Sequence, residues 1–446
     1  MLHKRSIKEK LLKGGAWAFV GKLVTSLATL AANALLARLL SPEEMGAYFL
    51  TLSLVSMGAI MAQFGLTQAI VKLVAESLAT GRPTRARLAV KYSVRMTGVG
   101  ALLVACILTF GGGLWLTSHL FNSRLMSQVM GLAAAWVVIV SFQNLIAEVF
   151  RGFHDVRLAT FFGGLVTGAL ILAMFLGLWI FQGFGDLHQI ILITLVASFS
   201  SVAISSLILW DKLSDLSLPS GDEVSFLEII RISWPLWVTS LIMFALSQVD
   251  LWIMGALRMP DEVATYGAAI RTVGLVIIPL IIANAVLPPI IAQMYAENNI
   301  KELETALRSV ATITGLPSLI ALLLLMVFGE AILLMLFGEF YQAGYMVISI
   351  LSVGYVVNVW SGSCGLVLML TGHQSAMMKI TIFCGIITTL LAWFLVKRYG
   401  GEGAAFAAAS GMILQNLITV IYAKKNVGVR TYMSLKSLTM TFHKGK

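Results

Sequence analysis

Arg38-Leu39-Leu40-Ser41-Pro42-Glu43-Glu44-Met45-Gly46-Ala47-Tyr48 and Arg258-Met259-Pro260-Asp261-Glu262-Val263-Ala264-Thr265-Tyr266 are two versions of one hairpin, with Pro42 and Pro260 lying 218 residues apart. Setting Pro42 on Pro260 places acidic residues on acidic residues, Gly46 on Ala264 and Tyr48 on Tyr266. Both copies join apolar runs of membrane-crossing length. A duplicated transmembrane unit predicts two pseudo-equivalent halves about a central cleft, an arrangement that many transporters use.

Working outward, charged residues make up 12% of the chain and hydrophobic residues 59%, where a soluble domain carries about 25% charged residues. The mean hydropathy is +0.91. Twelve apolar runs stand out, at 15–38, 46–67, 89–116, 128–149, 158–181, 189–210, 233–256, 264–290, 305–328, 344–370, 377–396 and 403–423. Each is long enough to cross a hydrocarbon core of ~30 Å as a helix. They lack the two-residue alternation of a barrel strand and are about twice its length, so the fold is all-α.

The basic residues have a direction. With the N-terminus in the cytoplasm, 24 of the 31 Lys and Arg residues fall inside and five outside, while Lys22 and Arg271 lie within spans. That bias predicts an even number of spans with both termini cytoplasmic. The net charge of +10 then belongs to a membrane rim facing anionic lipid, which excludes a nucleic-acid partner. Lys4 to Lys13 precede a run too long for a signal peptide, so an uncleaved first span is expected. Cys106, Cys364 and Cys384 lie in apolar runs and are expected to be free, buried thiols. No histidine has metal-ligand spacing, and neither a metal nor a bound cofactor is expected.

The longest connection, around 211–232, divides the chain. The expected organisation is a basic cytoplasmic segment at 1–13, a six-helix bundle at 14–212, a linker at 213–226, a second bundle at 227–424 and a basic cytoplasmic tail at 425–446. Six spans separate the hairpins, so the halves enter the membrane in the same orientation, as a parallel repeat. No outside loop is large enough to form a catalytic domain, and an enzyme is not expected.

The segments LLARLLSPEEMGAYFLTLSLVSMGAIMAQFGLTQAIVKLVAE, SQVDLWIMGALRMPDEVATYGAAIRTVGLVIIP and GGEGAAFAAASGMILQNLITVIYAKKNVGV resemble the opening, the seventh and eighth helices, and the twelfth helix of the O-antigen and polysaccharide flippases. These belong to the multidrug/oligosaccharidyl-lipid/polysaccharide exporter superfamily. The resemblance implies a V of two six-helix bundles, with a cavity lined chiefly by helices 1, 2, 7 and 8. It implies a lipid-linked oligosaccharide substrate, carried on undecaprenyl pyrophosphate across a bacterial or archaeal plasma membrane for O-antigen, capsule or exopolysaccharide. It further implies membrane lipids, a polysaccharide polymerase and chain-length proteins as partners, and coupling to a proton gradient, a sodium gradient or the membrane potential. The chain lacks the two extra helices of lipid II flippases and sporulation-type relatives. The rival of the same architecture is a cation-coupled multidrug exporter.

Polar residues inside spans narrow the site, because a charge at the bilayer centre costs roughly 2.5–3.5 kcal/mol on insertion scales. Lys22, Ser26, Thr29 and Asn33 share one stripe of the first helix. The stripe reads either as a cationic, hydrogen-bonding wall for pyrophosphate and sugar, or as a snorkelling lysine with small polar residues packing helices. Asp250 and Arg271 flank the second hairpin at similar depth. They read as a structural pair, or as a switch in which Arg271 holds an anionic headgroup and Asp250 responds to a coupling cation. Arg38 and Arg258 mark the mouths. Gln63 and Gln248 are sugar-binding candidates, with Ser53, Ser56, Thr67, Ser240 and Ser247 beside them and Trp237, Trp252 and Tyr266 as nearby aromatics. Asn284, with Pro279, Pro288 and Pro289, marks a bent eighth helix. Asn358, Gln415 and Asn416 are expected to tie helices together in the second bundle. Gly111–Gly113, Gly163, Gly164 and Gly168 are expected to allow close helix approach.

Overall fold

The computed structural model describes residues 21, 23–214 and 225–434. The segments at 1–20, Lys22, most of the linker and the tail beyond 434 lie outside the described residues. Thirteen helices of at least seven residues are described: α1 Leu23–Leu39, α2 Pro42–Gln63, α3 Leu66–Ala79, α4 Pro83–Leu120, α5 Met130–Gly152, α6 Val156–Phe181, α7 Leu187–Ser214, α8 Phe226–Leu257, α9 Pro260–Pro288, α10 Ile300–Phe337, α11 Glu339–Ser361, α12 Cys364–Leu370 and α13 Gln374–Val427. No strand occurs among the described residues. The chain is an all-α, multi-pass membrane protein.

The repeat is visible in the helices themselves. Pro42 opens α2 and Pro260 opens α9, each as the first helical residue, where a missing N–H costs nothing. Ser41 and Glu44 form a reciprocal cap on α2. The helices α4 and α10 are both 38 residues long. Among the described residues each expected span has its helix, the first from Leu23 onward, with two refinements. The run at 344–370 is two helices, α11 and α12, parted at Gly362. The last two runs join as α13, which is interrupted at Gly400 (φ 56°, ψ −132°).

Two sequence expectations need revision for local reasons. Gly111 (φ 129°) and Gly164 (φ 150°) lie in wide, π-type turns and bend α4 and α6, while close approach holds at Gly113, where a Cβ would meet Met130 of α5, and at Gly163, where it would lie 3.4 Å from Ala147. Cys106 is exposed, while Cys364 and Cys384 are buried as expected, because Cys106 lies on the outward face of α4.

The chain forms two compact units, Met1–Ala256 and Leu257–Lys446. In the first, Leu66, Ile70, Val149 and Phe150 build an apolar core that also takes in Ile229 of α8. Asp155 caps the start of α6 and is bound by Lys212 of α7 at 2.6 Å. Burial pushes the Asp155 carboxyl up, but the Lys212 ammonium, the Leu158 amide and the charge of Arg157 together hold it below its ordinary value. In the second unit the segment after α13 folds back along the bundle. Val429 and Thr431 are fully buried, Thr431 donates to the Ser361 carbonyl at 2.9 Å, and Tyr432 stacks on Trp360 at 5.0 Å. The basic tail therefore begins with an ordered strap.

Candidate functional site

Part of the donor capacity of the α1 stripe is committed within the helix. Thr29 donates to the Thr25 carbonyl at 2.8 Å, and the Asn33 amide donates to the Thr29 carbonyl at 2.8 Å. Asn33 is buried, Ser26 half-buried and Thr29 exposed. Their oxygens and the second Asn33 N–H remain, and such neutral groups suit hydroxyls better than an anion. Lys22, the cationic member, lies outside the described residues.

A second constellation lies where α8 runs along α2 and α3. The helix α2 stops because Phe64 and Gly65 both take left-handed conformations (φ 47° and 72°). Ending there leaves the last-turn carbonyls of α2 without helical partners. The Trp237 indole of α8 satisfies one, donating to the Ile60 carbonyl at 3.1 Å. Trp237 also packs on Phe64, with ring centroids 4.7 Å apart, and Trp234 completes the aromatic cluster. Only glycine fits at 65, since a Cβ would meet the Ser233 carbonyl and lie 2.7 Å from the Trp237 nitrogen.

Further along the seam, Ser53 is buried between two partners. Its hydroxyl donates to Gln248 Oε1 at 3.0 Å and accepts from the Trp252 indole at 2.8 Å. Gln68 donates to Ser240 at 3.2 Å. This fixes the amide of half-buried Gln248 by its oxygen and leaves its N–H groups for a ligand. The seam has the chemistry of a carbohydrate surface, with neutral donors, neutral acceptors and indole faces.

Two of the sequence candidates point elsewhere. Gln63 is 4% exposed and donates to the Ser141 carbonyl at 3.3 Å, so it ties α2 to α5 and is withdrawn from any substrate. Tyr266 is fully buried inside the second unit and is not a stacking surface. Its counterpart Tyr48 is buried too and packs near Trp136 at 6.2 Å, so the repeated tyrosine fills the core in both halves.

The charged candidates divide by role. Asp250 is half-buried on α8 and accepts from the Leu251 amide at 2.8 Å. Arg271 is half-buried on α9 and donates to the Gly267 carbonyl at 3.1 Å. It stands one turn before the tight 3-10 turn at Leu275–Ile277, which precedes Pro279, a residue with no N–H to continue the helical ladder. Arg38 is exposed at the end of α1. Arg258 has a structural role. It donates to the Val396 and Lys397 carbonyls at 2.9 and 3.3 Å, capping the first part of α13 where Gly400 breaks it. Glu262 lies 3.8 Å from Arg258, and its carboxylate occupies the space a side chain at 400 would need. The pseudo-equivalent Glu44 plays a related part in the first unit, accepting from the Leu187 amide at the start of α7 at 3.2 Å. Among the described residues no group of three His, Cys, Asp or Glu side chains is placed to hold a metal.

The structure brings the sequence candidates Ser53, Ser240, Gln248, Trp237 and Trp252 together along this seam, with the Gly65 crossing and Gln68, which the sequence reading did not single out. The local signal for the first is a Phe-Gly pair inside an apolar run.

A family model described as polysaccharide biosynthesis protein matches residues 11–295, and a second, described as MatE, matches residues 235–394. Stage V sporulation protein B of Bacillus subtilis (strain 168) is 21% identical over 466 residues, spanning 98% of this chain and 87% of that protein. A probable multidrug resistance protein NorM of Idiomarina loihiensis is 31% identical over 131 residues, 28% of each chain. Among solved structures, the inward-facing conformation of a multidrug resistance MATE family transporter of the MOP superfamily aligns with a TM-score of 0.75 at 18% identity, covering 91% of this chain and 94% of that one. A MOP superfamily transporter from Pyrococcus furiosus Vc1, described by the reverse polarity of its binding pocket, aligns with a TM-score of 0.63 at 15% identity, covering 94% and 96%. These structural likenesses establish the fold. The sporulation relative shows that the sequence-based separation from that branch does not extend to overall similarity.

Proposed function

The chain belongs to the polysaccharide biosynthesis protein family, whose model spans residues 11–295, and from that premise we propose that it is a flippase for lipid-linked oligosaccharide. It moves undecaprenyl-pyrophosphate-linked repeat units across the plasma membrane by alternating access, with both termini in the cytoplasm and an ion gradient or the membrane potential as the driving force. The observation that supports this best is the uncharged seam of α2, α3 and α8. Gln248, Gln68 and Ser240 offer sugar hydroxyls the neutral donors and acceptors they need, while buried Ser53 and the Trp252 indole hold Gln248 in place. Arg271, a basic residue within a span, suits the pyrophosphate, because charge-assisted hydrogen bonds to phosphate are about twice as strong as neutral ones.

Cation-coupled multidrug export is the second reading. It is supported by the MatE match over 235–394 and by the multidrug relatives, and Asp250 would then receive the cation.

Depletion of the protein in cells that make a surface polysaccharide separates the two. The flippase reading expects glycosylated polyprenyl lipid to accumulate on the inner leaflet and surface polymer to fall, with drug susceptibility unchanged. Normal surface polymer together with raised drug susceptibility would replace it with the exporter reading.

A further inference from the structure

Within the second unit, α9, α11, α12 and α13 line a cavity of 270 Å³. That volume corresponds to about nine waters at ~30 Å³ each, well beyond an isolated structural water. Its polar lining comprises Asn284, Asn358, Ser363, Gln415, Asn416 and Thr419, and no charged residue contributes to it. A site without charge does not favour a phosphate or an organic cation.

The polar groups are only partly occupied with one another. Ser363 donates to Asn284 Oδ1 at 2.5 Å, Gln415 donates to Thr381 at 3.3 Å, and Asn416 donates to the carbonyl of Met412 at 2.8 Å. The side-chain amide of half-buried Asn358 has no hydrogen-bond partner among the described residues. The amide N–H groups of Asn284, the Gln415 oxygen and the whole Asn358 amide therefore remain for a guest. Leu280, Leu366 and Met377 supply an apolar wall. Amides facing an apolar wall match a sugar ring, which has hydroxyls at its rim and C–H groups on its faces.

The repeat strengthens the case. The 218-residue offset of the hairpins also relates the first residues of α6 and α13, Val156 and Gln374. It places Leu66, Ala197 and Ser198 at the positions of Asn284, Gln415 and Asn416. The first-unit residues are 0–2% exposed. The half that opens the chain has small or apolar side chains where the second has three amides. Helix packing alone gives no reason for that asymmetry, since the Leu, Ala and Ser set already packs the same fold position. The strap after α13 holds one edge of the cavity in shape through the hydrogen bond from Thr431 to Ser361, beside Gly362.

We propose that this cavity is a binding subsite for one uncharged sugar ring of the transported lipid-linked saccharide. The inference rests on the flippase reading and adds to it a specificity determinant inside one unit. Its test uses the full chain in nanodiscs with two probes, bare undecaprenyl pyrophosphate and the same lipid bearing one neutral hexose. Wild-type protein is expected to bind the glycosylated probe more tightly. Asn358→Leu and Gln415→Leu are each expected to lower that affinity by about tenfold while leaving binding of the bare lipid unchanged, and either variant serves if the other does not fold. Equal loss for both probes would overturn the subsite and leave a structural role. Equal affinity of the wild type for both probes would overturn it while leaving the flippase reading intact. Failure of the wild type to bind either lipid would remove the flippase reading itself. A sodium-dependent rise in thermal stability that both variants abolish, without a change in lipid preference, would make the cavity a cation site and overturn the sugar.

Discussion

At the scale of single residues, Gly65 and Gly81 form a controlled pair. Both adopt left-handed conformations (φ 72° and 69°), but a Cβ at 65 would meet the backbone of α8, while nothing lies within 4 Å of one at 81. The conformational cost of replacing glycine in this region is about 1–2 kcal/mol and is common to both sites. Only position 65 adds a steric conflict with Ser233 and Trp237. Gly65→Ala is therefore expected to lower the thermal unfolding midpoint clearly more than Gly81→Ala. It is also expected to loosen the seam, read as faster labelling of a cysteine introduced at Ser240. Equal effects on stability and labelling would mean that α8 does not rest on this glycine. The neighbouring hydrogen bonds through Ser53 are worth less, about 0.6 kcal/mol each for interhelical bonds in a membrane.

At the scale of elements, the breaks are as informative as the helices. Where Gly400 interrupts α13, the carbonyls ahead of it need donors, and Arg258 provides them from the start of the second hairpin. Arg258→Gln removes the planar fork that reaches both carbonyls. The expected result is a loss of about 1–3 kcal/mol, the cost of leaving partly buried acceptors unsatisfied, seen as a lower unfolding midpoint. Arg258→Lys should recover only part of that loss. Full stability in the glutamine variant would return Arg258 to the status of a surface charge at the mouth. The sequence placed Arg258 beside the hairpin correctly, because the hairpin is a local pattern. Its role depends on carbonyls 138 residues away, which no local pattern encodes. The same holds for Gly65 and α8, which meet across roughly 170 residues of chain. The all-α, multi-pass character and the Pro-led helix starts were legible, since twenty-residue apolar runs and prolines at first turns are signals within one element. Gln63 was misjudged for a related reason. A polar residue in a membrane helix faces either a cavity or a neighbour, and periodicity does not distinguish them.

For the whole molecule, the sequence repeat predicts halves of like construction. The paired 38-residue helices and the two Pro-opened hairpin helices agree with it. Function is expected where the halves differ. Beyond the amide cavity, one difference is charge within spans: the second hairpin has Asp250 before it and Arg271 after it, while offset positions 32 and 53 in the first half are Ala32 and Ser53. A guanidinium at membrane depth is expensive to insert and is retained where it meets an anion or an acid. If its work is to hold pyrophosphate, its removal should affect substrates in proportion to their charge. Arg271→Ala is thus expected to cut surface polysaccharide export by at least about tenfold, from the ~1.5–3 kcal/mol of a charged hydrogen bond, with normal amounts of protein in the membrane. Arg271→Lys keeps the charge but loses the bidentate fork, and should fall between the alanine variant and wild type. Lys22→Ala is expected to reduce export in the same assay, because the other members of the first-helix stripe, Ser26, Thr29 and Asn33, carry no charge. Full export by both alanine variants, at wild-type protein levels, would show that neither cation handles the substrate. Loss of membrane protein in Arg271→Ala, with normal export per molecule, would assign Arg271 to the fold of α9.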